Sequence, residues 1–474
     1  MNPINADSMH RLAKLALDSG EATSPEDALD IFSRYRLRIY LGQGWAESLA
    51  GQACFVTALN TAARAFLGGV EVYGDVNAVL QLPLYEGRGT TDVICELGGI
   101  VTTRVVHDVP TVVLGQWLEA DQPEFCIRLQ WDAWCAAISP IGQKPSLSCE
   151  QDNPLAGVAA AALGINEAFL HVRGDLLTAG HRITGISLWS PLAVDDWAAS
   201  KHRGLALKYL PDSLWLIGLG HLGQAYAWTL GMLPYTKTKR PHLVLQDFDK
   251  AAKSNLSTCL LLSDDDIGQR KARLVARRLE AAGFNTDLVE RRFGPGHHTM
   301  ANEPAIALFG VDNISARRDL NSSNFSMVIE AGLGSGYRDF RNIRTHTFPG
   351  PRQATDIWSA TDAIQKAVEL NDTYRKLAAE RDDLCGMTLL ASRSVATPFV
   401  GALAATLVLA EVIRALHGGN VHSTLDLQMK DLRHRVGSVP SMYHGRLTSF
   451  VTAEFPLVHT NVAVPHQDEL ELVS

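Results

Sequence analysis

The sequence lacks the features that mark membrane, secreted and nucleic-acid-binding proteins. We expect no apolar run to be long enough to span a bilayer, and the N-terminus, MNPINADSMHRLAK, has no apolar signal core. The seven cysteines form no Cys-x-x-Cys pair, which argues against a structural zinc site and for reduced thiols in the cytoplasm. The net charge of −8 gives no electrostatic reason to expect nucleic acid or an anionic membrane as a partner.

The remaining composition is typical of a large globular enzyme. Of the 474 residues, 46% are hydrophobic and 20% are charged, which are ordinary values for globular chains. The length favours roughly two to four domains. We therefore expect a multidomain cytoplasmic protein.

A glycine turn followed by an acidic strand end is the passage that points to a specific chemistry. A strand at 214–217 leads into GLGHLG (residues 218–223), a helix follows, and a second strand ends at Asp247. In mononucleotide-binding βαβ units such glycines permit a tight turn, close approach of phosphate and close helix packing, and the acid binds ribose hydroxyls. Gly218, Gly220, Gly223 and Asp247 are therefore candidate nucleotide-binding residues. Taken alone, the turn also fits NAD and an NAD(P)-dependent oxidoreductase.

Two alanine-rich segments predict an internal duplication. PLAGVAAAALGINEAFL begins at Pro154 and PFVGALAATLVLAEVIR begins at Pro398. In both, a glycine stands three residues and a glutamate thirteen residues after the proline. The shared spacing indicates two copies of one fold, which we place at residues 1–198 and 199–474.

The first copy keeps the predicted order of elements but not the glycines. We predict a helix over 24–40, and then a strand, a helix and a second strand from 52 to 75. Thr57, Leu59 and Ala62 then stand near the positions of the glycines. The first copy is therefore expected to keep the fold without binding phosphate.

Residues 214–416 resemble the adenylation domain of ubiquitin-activating enzymes and of the related ThiF-type adenylyltransferases. The glycine turn is followed by Asp247-Phe248-Asp249, by Ser254-Asn255-Leu256 and by an Ile-Gly-x-x-Lys-Ala motif that contains Lys271. Downstream, Val311-Asp312-Asn313 resembles the strand-end segment that holds magnesium in this family. The resemblance implies an α/β fold: a Rossmann-like adenylation domain with a largely parallel sheet flanked by helices, preceded by a degenerate copy with which it forms a pseudo-dimer.

The resemblance also implies a reaction and its ligands. ATP would bind at the glycine turn together with Asp247, Asn255, Lys271 and Asp312, and Asp312 would hold Mg²⁺. The C-terminal carboxylate of a ubiquitin-like protein, ending in glycine, would attack the α-phosphate to give an acyl-adenylate and pyrophosphate. In relatives, an N-terminal arginine reaches the ATP across a dimer or pseudo-dimer. Arg34, in Phe32-Ser33-Arg34-Tyr35-Arg36, is our candidate, with Arg36 and Arg38 as alternatives.

One cysteine is the candidate for a second step. Cys385 precedes the Pro398 helix by thirteen residues, and in relatives a cysteine in this region attacks the adenylate to form a thioester, which a conjugating enzyme then receives. Thr388, Ser392 and Ser394 are alternatives if the intermediate is an oxyester. Thr258 departs from the family, because many relatives have a phosphate-binding arginine there. A catalytically weak adenylation-like scaffold therefore stays open as an alternative function. A homodimer also stays open.

Overall fold

A computed structural model describes most of the chain. The described residues are 7–103, 108–119, 122–144, 146–148, 150–359, 370–381, 384–445, 447 and 449–455. Within them the helices are α1 (Arg11–Ser19), α2 (Pro25–Phe32), α3 (Leu49–Ala63), α4 (Thr90–Glu96), α5 (Pro154–Arg173), α6 (His221–Leu230), α7 (Lys271–Ala281), α8 (Ile314–Arg318), α9 (Ala354–Ile357), α10 (Asp372–Arg381), α11 (Leu384–Ala391) and α12 (Pro398–Leu416).

The strands belong mainly to two sheets. Those of the N-terminal sheet are β1 (Leu37–Leu41), β2 (Val70–Gly74), β3 (Gly99–Val101), β4 (Thr111–Leu114), β5 (Cys126–Asp132), β6 (Cys135–Pro140) and β7 (Thr184–Ser187). The later strands are β8 (Tyr209–Pro211), β9 (Ser213–Ile217), β10 (His242–Gln246), β11 (Asn285–Val289), β12 (Ile306–Phe309), β13 (Met327–Leu333), β14 (Asn342–Phe348), β15 (Asn420–Val421), β16 (Thr424–Gln428), β17 (Arg435–Gly437), β18 (Ser441–Met442) and β19 (Phe450–Thr452).

The two sheets share one strand order over seven strands, and the C-terminal sheet has an eighth. The N-terminal sheet has the order β3-β2-β1-β4-β5-β6-β7, and the C-terminal sheet has the order β11-β10-β9-β12-β13-β14-β16-β17. In each sheet the first five strands are parallel and the following strands are antiparallel. The strand order reverses beside β1 in one sheet and beside β9 in the other, where α/β folds form their ligand crevice. The predicted α/β fold with a second copy is confirmed.

The matching glycines of the two alanine-rich helices each allow close packing against another helix. Gly157 of α5 packs on the first turn of α3, since a Cβ there would lie 2.0 Å from the Ala50 carbonyl oxygen. Gly401 of α12 packs on the first turn of α6 in the same way, 2.3 Å from His221 Nε2. Helices α3, α5, α6 and α12 contact one another and join the two halves. Small residues therefore occur at the same spacing in both helices because both must approach another helix closely.

Two expectations for the N-terminal half are wrong. The predicted helix over 24–40 ends at Phe32, and residues 37–41 form β1. The predicted strand near 52 is part of α3, so Thr57, Leu59 and Ala62 are buried helix residues and do not replace the glycines. Both errors have one cause: β1 and α3 are buried on all sides, so neither shows a one-sided hydrophobic pattern.

The expectation that no segment is apolar enough to cross a membrane is also wrong. By length and composition alone, α5 and α12 are each long and apolar enough to cross a membrane. In both helices, 89% of the apolar window is buried inside the protein. The hydrophobicity of these two helices is therefore accounted for by the contact between the halves.

Candidate functional site

The glycine turn between β9 and α6 is built to receive an anion. Gly218 has a φ of +82°, in the left-handed region that favours glycine. A Cβ on Gly223 would lie 1.8 Å from the Gly218 carbonyl oxygen, so this glycine allows the helix to start close to the strand. Gly220 caps α6 without a side-chain hydrogen bond, and its missing Cβ would face open space. The first turn of α6 is therefore open to a ligand.

Asp247 holds this turn in place. Its two carboxylate oxygens accept the Leu219 and Asp249 backbone N–H groups, each at 2.7 Å. Burial raises the pKa of Asp247, against the opposing effects of Lys271 and of the two N–H donors. The residue also lines the cleft above the turn. Its observed contacts thus assign it a structural role in addition to the predicted contact with a ribose.

A cleft of about 850 Å³ lies at the carboxyl ends of β9, β10 and β12. The structure brings together most of the residues that the sequence predicted for nucleotide binding, and those that line the cleft are Gly218, Gly220, Asp247, Asn255, Lys271 and Asp312. Gly223 lies behind them and serves helix packing. The motifs therefore converge on one site although they are spread over almost a hundred residues.

Lys271 and Asn255 occupy one wall of the cleft. Lys271 is the first residue of α7, and its Nζ lies 3.3 Å from Asp249 Oδ2. Asp249 is 52% exposed, so this pair is weak and the ammonium group is available to a stronger anion. The side-chain oxygen of Asn255 accepts the Ala252 N–H at 3.0 Å, which fixes the amide beside Thr258 in the lining.

Asp312 follows β12, is exposed and lines the same cleft. Arg317 fixes the segment before it, because its Nε donates to the Val311 carbonyl at 3.0 Å and its Nη2 pairs with buried Glu330 at 3.0 Å. Among the described residues no three His, Cys, Asp or Glu side chains are grouped to hold a metal. Magnesium commonly needs only one or two carboxylates together with substrate phosphates. The site therefore fits a magnesium ion that binds along with a nucleotide, not one held by the protein alone.

Arg34 does not line the cleft of its own chain. It is 70% exposed, pairs with Asp30 at 2.8 Å, and is not among the lining residues. Arg36 and Arg38 pair with Glu71 instead. Arg11, at the start of α1, does line the cleft, and contact of Arg34 with the ATP of a second copy stays a prediction. Sequence reasoning missed Arg11 because it lies in what reads as an ordinary amphipathic helix.

The surroundings of Arg11 show why it is suited to an anion. Burial lowers its pKa, and nearby Arg393 lowers the pKa further, whereas Asp312 acts in the opposite direction. Within the part of the chain that the structure describes, its guanidinium forms no ion pair, and its backbone N–H donates to Ser257 Oγ at 3.4 Å. A guanidinium in a cleft without a carboxylate partner is a strong candidate for a phosphate contact.

Cationic side chains outnumber acidic ones in the lining of the cleft although the chain is negative. Its cationic lining residues are Arg11, Lys271, Arg291, Arg292, Arg317 and Arg393. Its acidic ones are Asp247, Asp249, Asp312 and Asp319. The surplus of cations and the open N-terminus of α6 favour a polyanionic ligand.

In the N-terminal half, the start of α3 corresponds to the start of α6, and a carboxylate of the chain occupies it. After β1, the turn runs through Gly42 and Gly44, and α3 begins only at Leu49. The Asp152 carboxylate accepts the Leu49 and Ala50 N–H groups, both at 2.8 Å. These are the donors that a phosphate would need.

Two of the four candidate residues for the second step lie at the cleft. Cys385 belongs to α11, but its side chain falls outside the described part of the structure. The Thr388 and Ser392 hydroxyls donate to the carbonyls of Leu384 and Leu389 within the same helix. Ser392 and Ser394 line the cleft. The end of α11 and the segment after it thus border the site.

Comparison with known proteins supports one family. The model "BilD C-terminal domain" matches residues 210–419, and "BilD N-terminal domain" matches residues 36–188. The "Bacterial E1-like protein BilD" of Collimonas sp. strain OK412 is 39% identical over 443 residues, which covers 92% of this chain and 95% of that protein.

Two solved structures superpose only loosely. E. coli MccB with ATP is 12% identical, with 67% of this chain and 96% of that chain covered and a TM-score of 0.33. The E. coli tRNA N6-threonylcarbamoyladenosine dehydratase TcdA is 15% identical, with 44% and 86% covered and a TM-score of 0.30. The likeness to the BilD sequence extends over both halves and is the finding that counts.

Proposed function

The chain belongs to the BilD family of bacterial E1-like proteins, and on that premise we propose that it adenylates the C-terminal carboxylate of a ubiquitin-like protein. The observation that carries this proposal is the cleft itself. It combines an open helix N-terminus behind a glycine turn, the cations Arg11 and Lys271, and an exposed carboxylate at Asp312. This combination suits a nucleoside triphosphate better than any uncharged ligand.

The residues of the cleft would act mainly through charge and position. In the reaction, the carboxylate oxygen bonds to the α-phosphorus of ATP while the bond to pyrophosphate breaks. Negative charge builds up on the phosphate oxygens, so fixed cations lower the barrier. Lys271 and Arg11 would supply these cations, Asn255 would orient the nucleotide, and Asp312 would hold Mg²⁺. When bound, the metal would neutralise charge on the phosphates and orient them.

We propose that the chain has one working site. Asp152 already takes the first N–H donors of α3, whereas among the described residues no side chain caps the start of α6. A carboxylate in that position excludes a phosphate by repulsion as well as by occupancy. The N-terminal half would then be the inactive member of the pseudo-dimer, with 1–198 and 199–474 as the two units.

A second step would pass the activated protein to a thiol. The Cys385 thiolate would attack the acyl carbon of the adenylate, a thioester would form and AMP would leave. A conjugating enzyme would then accept the acyl group. Support for this step is positional, since Cys385 stands near the start of α11 and the other end of this helix borders the cleft. The hydroxyls of Ser392 and Ser394 line the same cleft and are the candidates for an oxyester.

Exchange of labelled pyrophosphate into ATP tests the first step. We expect exchange that depends on Mg²⁺ and on a small β-grasp protein with a C-terminal glycine, and loss of exchange when that glycine is deleted. Lys271→Ala should abolish most of the exchange and, with it, the carrier adduct that hydroxylamine releases. Cys385→Ala should remove the adduct and leave the exchange. Exchange without any carrier dependence, or none with candidates from neighbouring reading frames, would contradict the proposal.

A further inference from the structure

Two side chains of the N-terminal half bind residues 256–262 of the C-terminal half, the segment that follows Asn255. Asn60, on α3, donates from Nδ2 to the Leu260 carbonyl at 2.9 Å. Arg64, one turn later, donates to the Leu256 carbonyl through Nη1 and to the Leu262 carbonyl at 3.0 Å through Nη2. Three carbonyls of one short segment are thus held by two side chains from the opposite half.

Arg64 is placed for this contact at a cost. Burial lowers its pKa, and among the residues that the structure describes it forms no ion pair with a carboxylate. Its Nε donates to Asn60 Oδ1 at 2.8 Å, so the two side chains brace each other. A buried guanidinium is unfavourable unless its donors are satisfied. Here backbone carbonyls of residues 256 and 262 satisfy them.

The segment of residues 256–262 leads directly to the cleft. It starts after Asn255 and contains Thr258, and both residues line the cleft. On its other side, Gln224 of α6 accepts the Leu261 N–H at 3.1 Å and donates to the Leu219 carbonyl of the glycine turn at 3.2 Å. The segment therefore lies between α3 and the glycine turn, and a shift of α3 would move the nucleotide motif against the turn.

We infer that Asn60 and Arg64 are positioning residues for the nucleotide cleft of the C-terminal half. The inference rests on the proposed function in so far as the ligand is ATP. It gives the N-terminal half a role that does not require a nucleotide site of its own. Displacements of about 1 Å at a reacting centre can cost about a hundredfold in rate. Arg64 binds the carbonyl of Leu256, the residue after Asn255, so we expect loss of this contact to have a measurable effect.

The test compares Arg64→Ala with a matched arginine. Arg435 is also buried, and it donates to the Gly185 carbonyl at 3.4 Å and to the Ala193 carbonyl, again across the halves. It is not among the residues that line the cleft. Arg435→Ala therefore removes a similar cross-half contact without touching the nucleotide motif.

We expect Arg64→Ala to weaken binding of Mg·ATP at least tenfold, measured by calorimetry on the full chain, and to raise the KM for ATP in exchange more than it lowers kcat. Arg435→Ala should leave the Kd for Mg·ATP within twofold of wild type, even if its melting temperature falls as far as that of Arg64→Ala. Arg64→Lys, which keeps one donor, should recover part of the affinity. Asn60→Ala should weaken binding less than Arg64→Ala and serves as the measurement if Arg64→Ala does not fold.

The outcomes separate this inference from the proposed function. Equal ATP affinity in wild type, Arg64→Ala and Asn60→Ala would overturn the positioning role, as would equal losses in Arg64→Ala and Arg435→Ala. Wild type that binds ATP but catalyses no carrier-dependent exchange would overturn the proposed function alone. In that case the contrast in ATP affinity between the two arginine variants would still support the inference.

Discussion

Replacement of Arg11 should separate the arginine that acts in the cleft from the one that the sequence favoured. Arg11 lines the cleft and has no ion pair among the described residues, whereas Arg34 is 70% exposed and bound to Asp30. A unit charge 4 Å from another contributes about 4 kcal/mol at an effective dielectric constant of 20. Loss of one such fixed contact in a transition state typically costs ~3 kcal/mol, or about a hundredfold in rate.

We therefore expect Arg11→Ala to lower kcat for carrier-dependent pyrophosphate exchange about a hundredfold, with an unchanged far-UV spectrum and a similar melting temperature. Arg34→Ala should change kcat less than twofold, because an exposed pair of this kind contributes only ~0.3–0.5 kcal/mol. A hundredfold loss in Arg34→Ala with a normal Arg11→Ala would refute the reasoning. It would mean that Arg34 reaches the cleft of a second copy of the chain.

Three other perturbations test parts of the site and of the fold. Lys271→Ala should lower exchange by about two orders of magnitude, whereas Asp249→Ala, which frees the Lys271 ammonium from an exposed partner, should not; equal losses would contradict a catalytic Lys271. Asp152→Ala should reduce the free energy of unfolding by ~2 kcal/mol because two helix N–H groups lose their acceptor. Sulfate should restore part of that loss in the variant and not in wild type, and an equal effect on both would contradict the capping role. Burial lowers the pKa of His10 and of His221 to about 4, so the unfolded chain binds more protons than the folded one between about pH 4 and 6.5. The free energy of unfolding should therefore fall as the pH is lowered through this range, and His10→Asn should give a shallower slope.

The C-terminal half was predictable because its signals are local and ordered along the chain. The glycine turn, Asp247, Asn255 and Lys271 each stand in a short motif, and parallel strands bring their carboxyl ends to one edge. The structure groups these residues in one cleft as the motifs implied. Cleft residues with no motif of their own, such as Arg291 and Arg393, gave no signal.

The N-terminal half was predicted only in outline because its decisive contacts join distant residues. Asp152 caps Leu49 across 103 residues, and neither the acid nor the leucine stands in a recognisable pattern. The complete burial of α3 removed the periodicity that would have located the turn before it. Arg11 lies far from the cleft in sequence, and an arginine on an amphipathic helix reads as a surface charge.

Helix α3 of the N-terminal half and its counterpart α6 differ in the contacts at both of their ends. These differences would let the N-terminal half position the cleft of the C-terminal half. At the start of α3, Asp152 replaces an anionic ligand with a carboxylate of the chain. At its end, Asn60 and Arg64 bind the segment after Asn255. The equivalent helix α6 is open at its start and binds the same segment through Gln224. A phosphate at the start of α3 would compete with the cap that fixes this helix. The contacts at one end of α3 would thus close the first site, and those at the other end would position the second.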